Sequence, residues 1–129
     1  MLLYGGSLKR LFRLVNERRV RLAFSPATID ELIRVIQYPK IREAAEKLAV
    51  PIEALTDKLI AASLVVQPST RVAVVREDPA DNRILEAALE SCAMCIVSGD
   101  KHLLKLKRFQ GIPIVSPRVF LQRFAAGFS

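Results

Sequence analysis

The sequence has few of the residues that build disulfide scaffolds or aromatic binding surfaces. Its 129 residues include two cysteines, one histidine, no tryptophan and only 6% aromatic residues. Two cysteines cannot make a disulfide scaffold, and so few rings give no stacking platform for bases. No apolar run reaches the about 18 residues of a membrane span, and the N-terminal apolar stretch is too short for a signal peptide. We therefore expect a cytoplasmic globular protein without a membrane partner.

The chain does have enough apolar residues for a core, and an excess of positive charge. Hydrophobic residues make up 51% of the sequence and charged residues 26%, which suits a single domain over 1–129. The formal net charge is +7. A basic balance is typical of proteins that meet phosphate groups, although charge alone is weak support. Lys101 and Lys105 belong to a denser basic cluster, which is either a solvated helix face or a surface for a phosphate backbone.

Hydrophobic periodicity divides the chain into helices and short strands that alternate. Helices are predicted over 7–17, 26–36, 41–48, 51–59, 81–89, 103–106 and 117–124. Strands are predicted over 20–24, 72–75, 95–97 and 112–115, with 64–66 as a weaker candidate. This alternation indicates an α/β fold with a parallel sheet covered by helices on both faces. Because the pattern opens on a helix, we expect the first strand of the sheet to be missing.

Acidic side chains follow two of the predicted strands. Asp78 and Asp81 come after 72–75, and Asp100 comes after 95–97. Ligands of open parallel sheets bind outside the carboxyl ends of the strands. If the two strands are neighbours, these carboxylates converge, and a hard divalent cation is the usual remedy for their repulsion. Taken singly, Asp81 and Asp100 are better explained as helix N-caps, and only their joint position favours a cation site.

Two other features have simpler structural explanations. Glu31 lies nearly opposite the apolar stripe of its helix, so periodicity alone makes it a solvent-facing glutamate. Cys92 and Cys95 form a Cys-x-x-Cys pair, the spacing of some redox and zinc sites. The chain has no second pair, and cysteines between a helix end and a buried strand behave as small hydrophobic residues.

Several stretches taken together resemble the PIN-domain family, in its branch of toxins from toxin–antitoxin pairs. They are SPATIDEL (25–32), DPADNRILEAA (78–88), IVSGDKHLL (96–104) and GIPIVSP (111–117). The most specific part is DPADN paired with VSGD in the right order and separation. The resemblance implies a three-layer fold with a central parallel sheet flanked by helices. It also implies an acidic pocket that binds magnesium or manganese and hydrolyses RNA phosphodiesters.

The resemblance assigns roles to individual residues. Glu31 matches the family's helical glutamate, Asp81 the aspartate at a helix start, and Asp100 the aspartate that closes the next strand. These three are the predicted metal ligands and catalytic residues. Accessory roles are predicted for Asp78, Ser98 and His102, and RNA binding for Lys101 and Lys105.

Two departures from the family pattern bear on activity. Family members usually begin with a strand ending in an Asp-Thr-Asn-like motif whose aspartate is the first metal ligand, and this chain starts after that point. His102 stands where many relatives have another aspartate. Two functions therefore stay open: a magnesium- or manganese-dependent endoribonuclease for single-stranded RNA, or an inactive PIN-like domain that binds RNA or an antitoxin protein. A sheet that lacks a strand also favours a homo-oligomer.

Overall fold

The structure, a computed structural model, describes residues 5–47, 49 and 51–125. Within these ranges the helices are α1 (Gly5–Asn16), α2 (Pro26–Val35), α3 (Pro39–Glu46), α4 (Ile52–Ala61), α5 (Pro79–Glu90), α6 (Lys101–Leu104) and α7 (Pro117–Ala125). The strands are β1 (Ala23–Phe24), β2 (Leu64–Val65), β3 (Ile96–Val97), β4 (Arg108–Phe109) and β5 (Ile112–Val115). The predicted α/β class is confirmed. None of the helices in these ranges is long and apolar enough to cross a membrane.

Serine and proline start two helices as the sequence predicts. The Ser25 hydroxyl accepts the Thr28 N–H at 3.3 Å, and the Ser25 N–H donates to the Thr28 hydroxyl at 2.8 Å. Together they form a capping box, with Pro26 at the start of α2. Before α7, the Ser116 hydroxyl accepts the Val119 N–H at 3.1 Å. These helix starts depend on residues only three positions apart, which is why the sequence reveals them.

The strands form two small sheets instead of the single sheet that the sequence predicts. One sheet pairs β1 with β2 in parallel, and the other has the order β3-β5-β4. In the second sheet β3 runs parallel to β5, whereas β4 runs antiparallel to it. The prediction of a wholly parallel sheet is therefore wrong at β4. Gln110 and Gly111 both have positive φ, 47° and 83°, which is the geometry of a tight hairpin turn that reverses the chain.

Residues 72–75 are not a strand, although their β-branched side chains predict one. Side chains of α5 bind the backbone here: Glu86 accepts the Val72 N–H at 2.8 Å, and Asn82 accepts the Val75 N–H at 2.8 Å. Backbone groups satisfied in this way need no neighbouring strand. Val72 and Val75 are nevertheless buried. The apolar pattern therefore predicted the burial of these valines correctly, but it predicted their pairing with another strand wrongly.

The apolar core consists of two clusters of buried side chains. The first cluster lies among the helices of the first half and contains Leu11, Ile36, Ile41, Ala44, Ala45, Ile52 and Leu55. The second cluster lies between α5 and the β3-β5-β4 sheet and contains Val72, Val75, Leu85, Ala88, Ile96, Leu103, Phe109 and Ile114. Helix α5 also contacts α2 and β1. It therefore joins the two parts of the molecule, and the acidic residues lie at its N-terminal end.

Candidate metal centre

The start of α5 places two of the predicted acidic residues one turn apart. Asp78 is the N-cap, and its Oδ1 accepts the Ala80 N–H at 3.1 Å. Asp81 lies in the first turn of the helix and is only 4% exposed. The interpretation of Asp81 as the cap is therefore wrong, because Asp78 takes that position. The Asp81 carboxylate is left without this local role.

Asp100 approaches from the end of β3. Its Oδ1 accepts the His102 N–H at 2.7 Å and so caps the short helix α6. The Asp100 N–H in turn donates to the Ser98 hydroxyl at 3.0 Å, and Ser98 is completely buried. A buried hydroxyl therefore holds the backbone that presents Asp100. This contact is consistent with the accessory role predicted for Ser98.

The three aspartates converge into what we call the acid group. One carboxylate oxygen each of Asp78, Asp81 and Asp100 lies within 4.8 Å of the other two. Oδ2 of Asp81 is buried and has no hydrogen-bond partner. A buried polar atom without a partner costs on the order of 1–3 kcal/mol, and a charged one costs more. Carboxylate oxygens are the ligands that Mg²⁺ and Mn²⁺ prefer, so these residues fit a hard divalent cation.

Burial and neighbouring charges raise the pKa of Asp81 to about 7. Removal of the carboxylate from water is the largest cause, and the carboxylates of Asp100 and Asp78 add to it. The positive charge of His102 acts in the opposite direction. Near neutral pH the metal-free site therefore tends to keep a proton. A divalent cation would displace that proton, since it stabilises the charged form of the carboxylate.

Glu31, the third predicted ligand, does not belong to the acid group. Its carboxylate is partly exposed and pairs with Arg34 of the same helix at 3.2 Å. Asp78, predicted only as an accessory residue, takes a place in the group instead. A capping aspartate three residues before Asp81 was the signal in the sequence, because an N-cap and a first-turn residue lie on the same end of a helix. A ligand role for Glu31 stays a prediction.

Three basic residues, Lys101, His102 and Lys105, follow Asp100 on or just after α6. His102 is partly exposed, whereas Lys101 and Lys105 are exposed. A hydrogen bond from its own backbone lowers the pKa of the exposed Glu77, and the charges of His102 and Lys105 lower it further. Lys105 therefore lies close to the loop that leads into Asp78. These positions are compatible with the predicted RNA contacts, which stay predictions.

The Cys-x-x-Cys pair does not build a metal site with other described residues. Cys92 and Cys95 are both free thiols, the first exposed and the second partly buried. Burial raises the pKa of the Cys95 thiol. In the ranges that the structure describes, the acid group is the one cluster of three or more potential metal ligands found. The chemistry of the protein therefore points to the acid group.

The fold and this site together define a class of protein, namely an α/β domain with a carboxylate site for a divalent cation. The chain belongs to the PIN domain family, whose sequence pattern it matches over residues 2–102. This range contains all three residues of the acid group, and it confirms the family predicted from the sequence. PIN domains are generally metal-dependent nucleases. No curated protein and no solved structure matches the chain.

Proposed function

We propose that this protein is a metal-dependent endoribonuclease that hydrolyses phosphodiester bonds of single-stranded RNA. The observation that carries the proposal is the buried, unpartnered Oδ2 of Asp81 beside the carboxylates of Asp78 and Asp100. With all three groups charged, the carboxylates repel one another and one of them is out of water, so without a cation the site relieves this cost only by keeping a proton on Asp81. The chain belongs to a family whose members are generally metal-dependent nucleases, and this supports hydrolysis of phosphodiester bonds as the function of the acid group.

Asp78, Asp81 and Asp100 would hold the magnesium or manganese ion. When bound, such an ion supplies a water of lowered pKa and neutralises charge on the phosphate. The helix caps hold Asp78 and Asp100 by one oxygen each, which leaves the other oxygen of each carboxylate for the cation. The burial of Asp81 keeps water away from its side of the site. This arrangement orients the ligands before the cation arrives.

Three residues at the rim would bind the substrate. Lys101, His102 and Lys105 lie on or just after α6, the helix that Asp100 caps. The positive charges of Lys101 and Lys105 would attract phosphates of the RNA backbone and orient a phosphodiester towards the acid group, and His102 would offer a ring N–H as a hydrogen-bond donor. The contacts would be independent of base sequence, because phosphate contacts carry no sequence information.

The direct test is cleavage of a mixed single-stranded RNA with and without manganese. We expect manganese-dependent cleavage, reduced about 100-fold or more in Asp100→Asn, because the variant removes one anionic ligand. Asp57→Asn is the matched control, since Asp57 is exposed on α4 and loses the same charge outside the acid group. Cleavage by Asp100→Asn at the rate of Asp57→Asn would reject the proposed site.

A second candidate function follows from the position of Glu31. Among the residues that the structure describes, the acid group has three carboxylates, and Glu31 pairs with Arg34 outside it. The alternative is therefore a catalytically inactive PIN domain that binds RNA or an antitoxin protein. RNA binding that weakens with salt, without cleavage at any manganese concentration, would support this alternative over the nuclease.

The remaining expectations belong to the same proposal. They are a toxin role in a toxin–antitoxin pair, a cytoplasmic location, a homo-oligomer, and a single three-layer domain whose central sheet lacks its first strand. The two small sheets are compatible with such an interrupted sheet, because β1 and β3 each have one hydrogen-bonded neighbour in the described part of the chain. Sedimentation of a monomer would remove the homo-oligomer from this set.

A further inference from the structure

One face of α5 binds an extended segment that precedes it, residues 69–75, which we call the strap. Glu90 accepts hydrogen bonds from the N–H and hydroxyl of Ser69 at 2.8 and 3.0 Å. Glu86 accepts the Val72 N–H at 2.8 Å. Asn82 binds the end of the strap nearest to the acid group. Positions 82, 86 and 90 are four residues apart, so their side chains line a single face of the helix.

Asn82 makes the densest of these contacts. Its Oδ1 accepts the N–H groups of Val74 and Val75 at 3.0 and 2.8 Å, and its Nδ2 donates to the Val75 carbonyl at 2.8 Å. Asn82 is 4% exposed. Both lone pairs of its amide oxygen are therefore engaged, and the side chain pairs with the strap much as a neighbouring strand would. The planar amide offers an acceptor oxygen and a separate donor nitrogen side by side, which matches the N–H and carbonyl groups of the strap.

These bonds close a short ring of chain that carries two members of the acid group, Asp78 and Asp81. Val75 lies three residues before Asp78, and Asn82 directly follows Asp81. The hydrogen bonds between Asn82 and Val75 therefore restrain the connection that carries Asp78 relative to the helical turn that carries Asp81. The cap between Asp78 and Ala80 restrains the same connection from the other side. The carboxylate of Asp78 is held between these two anchors.

We infer that Asn82 is a positioning residue of the metal centre, which binds the Val75 backbone and thereby sets where Asp78 presents its carboxylate to a divalent cation. The inference rests on the cation site of the proposed function. Asn82 itself does not belong to the acid group, and its polar atoms are occupied by the strap. It therefore acts through Asp78 and not by touching the cation.

Glu86 provides a matched control on the same helix face. Like Asn82, it is 4% exposed and binds the strap, and its carboxylate also pairs with Arg83 at 2.9 Å. Its contact with the strap lies at Val72, farther along the chain from Asp78. Removal of this side chain should loosen the strap and lower the stability of the protein, while the bonds between Asn82 and Val75 stay in place.

The test is a double-mutant cycle on manganese affinity, measured by titration calorimetry at a temperature where every variant is folded. The cycle comprises the unsubstituted protein, Asn82→Ala, Asp78→Asn and the double variant. We expect Asn82→Ala to weaken manganese binding about 10-fold. In the Asp78→Asn background the same substitution should cause little further loss, because the residue that it positions no longer carries a charge. Glu86→Ala should change manganese affinity less than about twofold.

Each outcome decides the inference. The inference would be overturned if Asn82→Ala weakened manganese binding equally in both backgrounds. It would also be overturned if Glu86→Ala weakened manganese binding in proportion to its loss of unfolding free energy. A protein that binds no manganese would reject the metal centre as well. Coupled losses without RNA cleavage would keep the inference and reject only the nuclease. If Asn82→Ala does not fold, Asn82→Ser completes the same cycle, since its hydroxyl keeps one partner for the strap.

Discussion

The first half of the chain, from α1 to β2, and the second half, from the strap to α7, satisfy their buried polar groups in different ways. In the first half, these groups bond to residues close by in the sequence. Ser25 and Thr28 bond to each other across three positions, and the Thr56 hydroxyl donates to the carbonyl four residues earlier at 2.8 Å. Such contacts form within a single helix or at its start. The first half therefore uses its buried polar groups to stabilise helices.

In the second half, some buried polar groups also bond locally, as Ser98 does to Asp100, but others bond across longer separations or have no partner. Asn82 bonds to Val75 seven residues away, and Glu86 bonds to Val72 fourteen residues away. Two buried atoms have no partner in the described residues, Oδ2 of Asp81 and Nε of Arg83, and Arg83 is engaged through its other nitrogen with Glu86 at 2.9 Å. Buried polar groups in proteins are nearly always satisfied, so an exception calls for a functional explanation. The comparison teaches that local contacts account for the buried polar groups of the first half, whereas the proposed cation would satisfy the buried oxygen of Asp81 in the second half.

The largest expected effects on stability come from the two apolar clusters, and they should be similar. Leu55 in the first cluster and Leu85 in the second are 2% and 0% exposed. Leu55→Ala and Leu85→Ala should each lower the free energy of unfolding by roughly 2–5 kcal/mol in urea titrations, because each leaves a cavity. Only Leu85→Ala should also weaken manganese binding, since Leu85 lies one turn after Asp81. An equal loss of affinity in both variants would contradict the separation of the two halves.

A smaller effect should appear in the pH dependence of the metal-free protein. The pKa of Asp81 rises from 3.8 to about 7 on folding. Between these values the folded protein binds more protons than the unfolded chain, so its stability should fall as the pH rises through this window. We expect a loss on the order of 1–2 kcal/mol in urea titrations between pH 5 and about pH 8.

The control for this pH effect is a pair of variants with the same change of charge. Asp81→Asn should flatten the profile, because the neutral amide does not titrate, whereas Asp57→Asn should keep it. Manganese should restore stability at the upper end of the window, because it binds the charged form of the acid group. A wild-type profile as flat as that of Asp81→Asn would show that Asp81 titrates normally.

The smallest effect should come from a local contact in the first half. Ser25→Ala removes one side of the capping box at the start of α2 and should cost about 1 kcal/mol of stability. Thermal unfolding checks the size of this change. Manganese affinity should stay the same, because the hydrogen bonds of the capping box join Ser25 and Thr28 to each other and not to the acid group. A loss of affinity in Ser25→Ala would show that the two halves are coupled more closely than their hydrogen bonds indicate.

The features that could be predicted from the sequence are those that depend on residues close together in the chain. The starts of α2 and α7 follow from Ser-Pro pairs, and the α/β class follows from alternating apolar patterns. The strand at 72–75 was predicted wrongly because strand propensity reflects the burial of apolar side chains. It does not reveal which groups bind the backbone N–H and carbonyl groups, here the side chains of α5. The antiparallel β4 was missed because two residues are too few to show a period.

The sequence by itself therefore determined which kinds of side chain the site contains, but it did not determine which residues these side chains contact in the fold. Acidic residues near strand ends, together with the DPADN and VSGD motifs, were enough to indicate a carboxylate site and the PIN domain family. Only the tertiary structure brought Asp78 together with Asp81 and Asp100. It also decided that Glu31 pairs with Arg34 and that Asn82 binds the strap. Periodicity and caps reflect interactions over three or four residues, whereas these pairings depend on how α5 packs against distant segments.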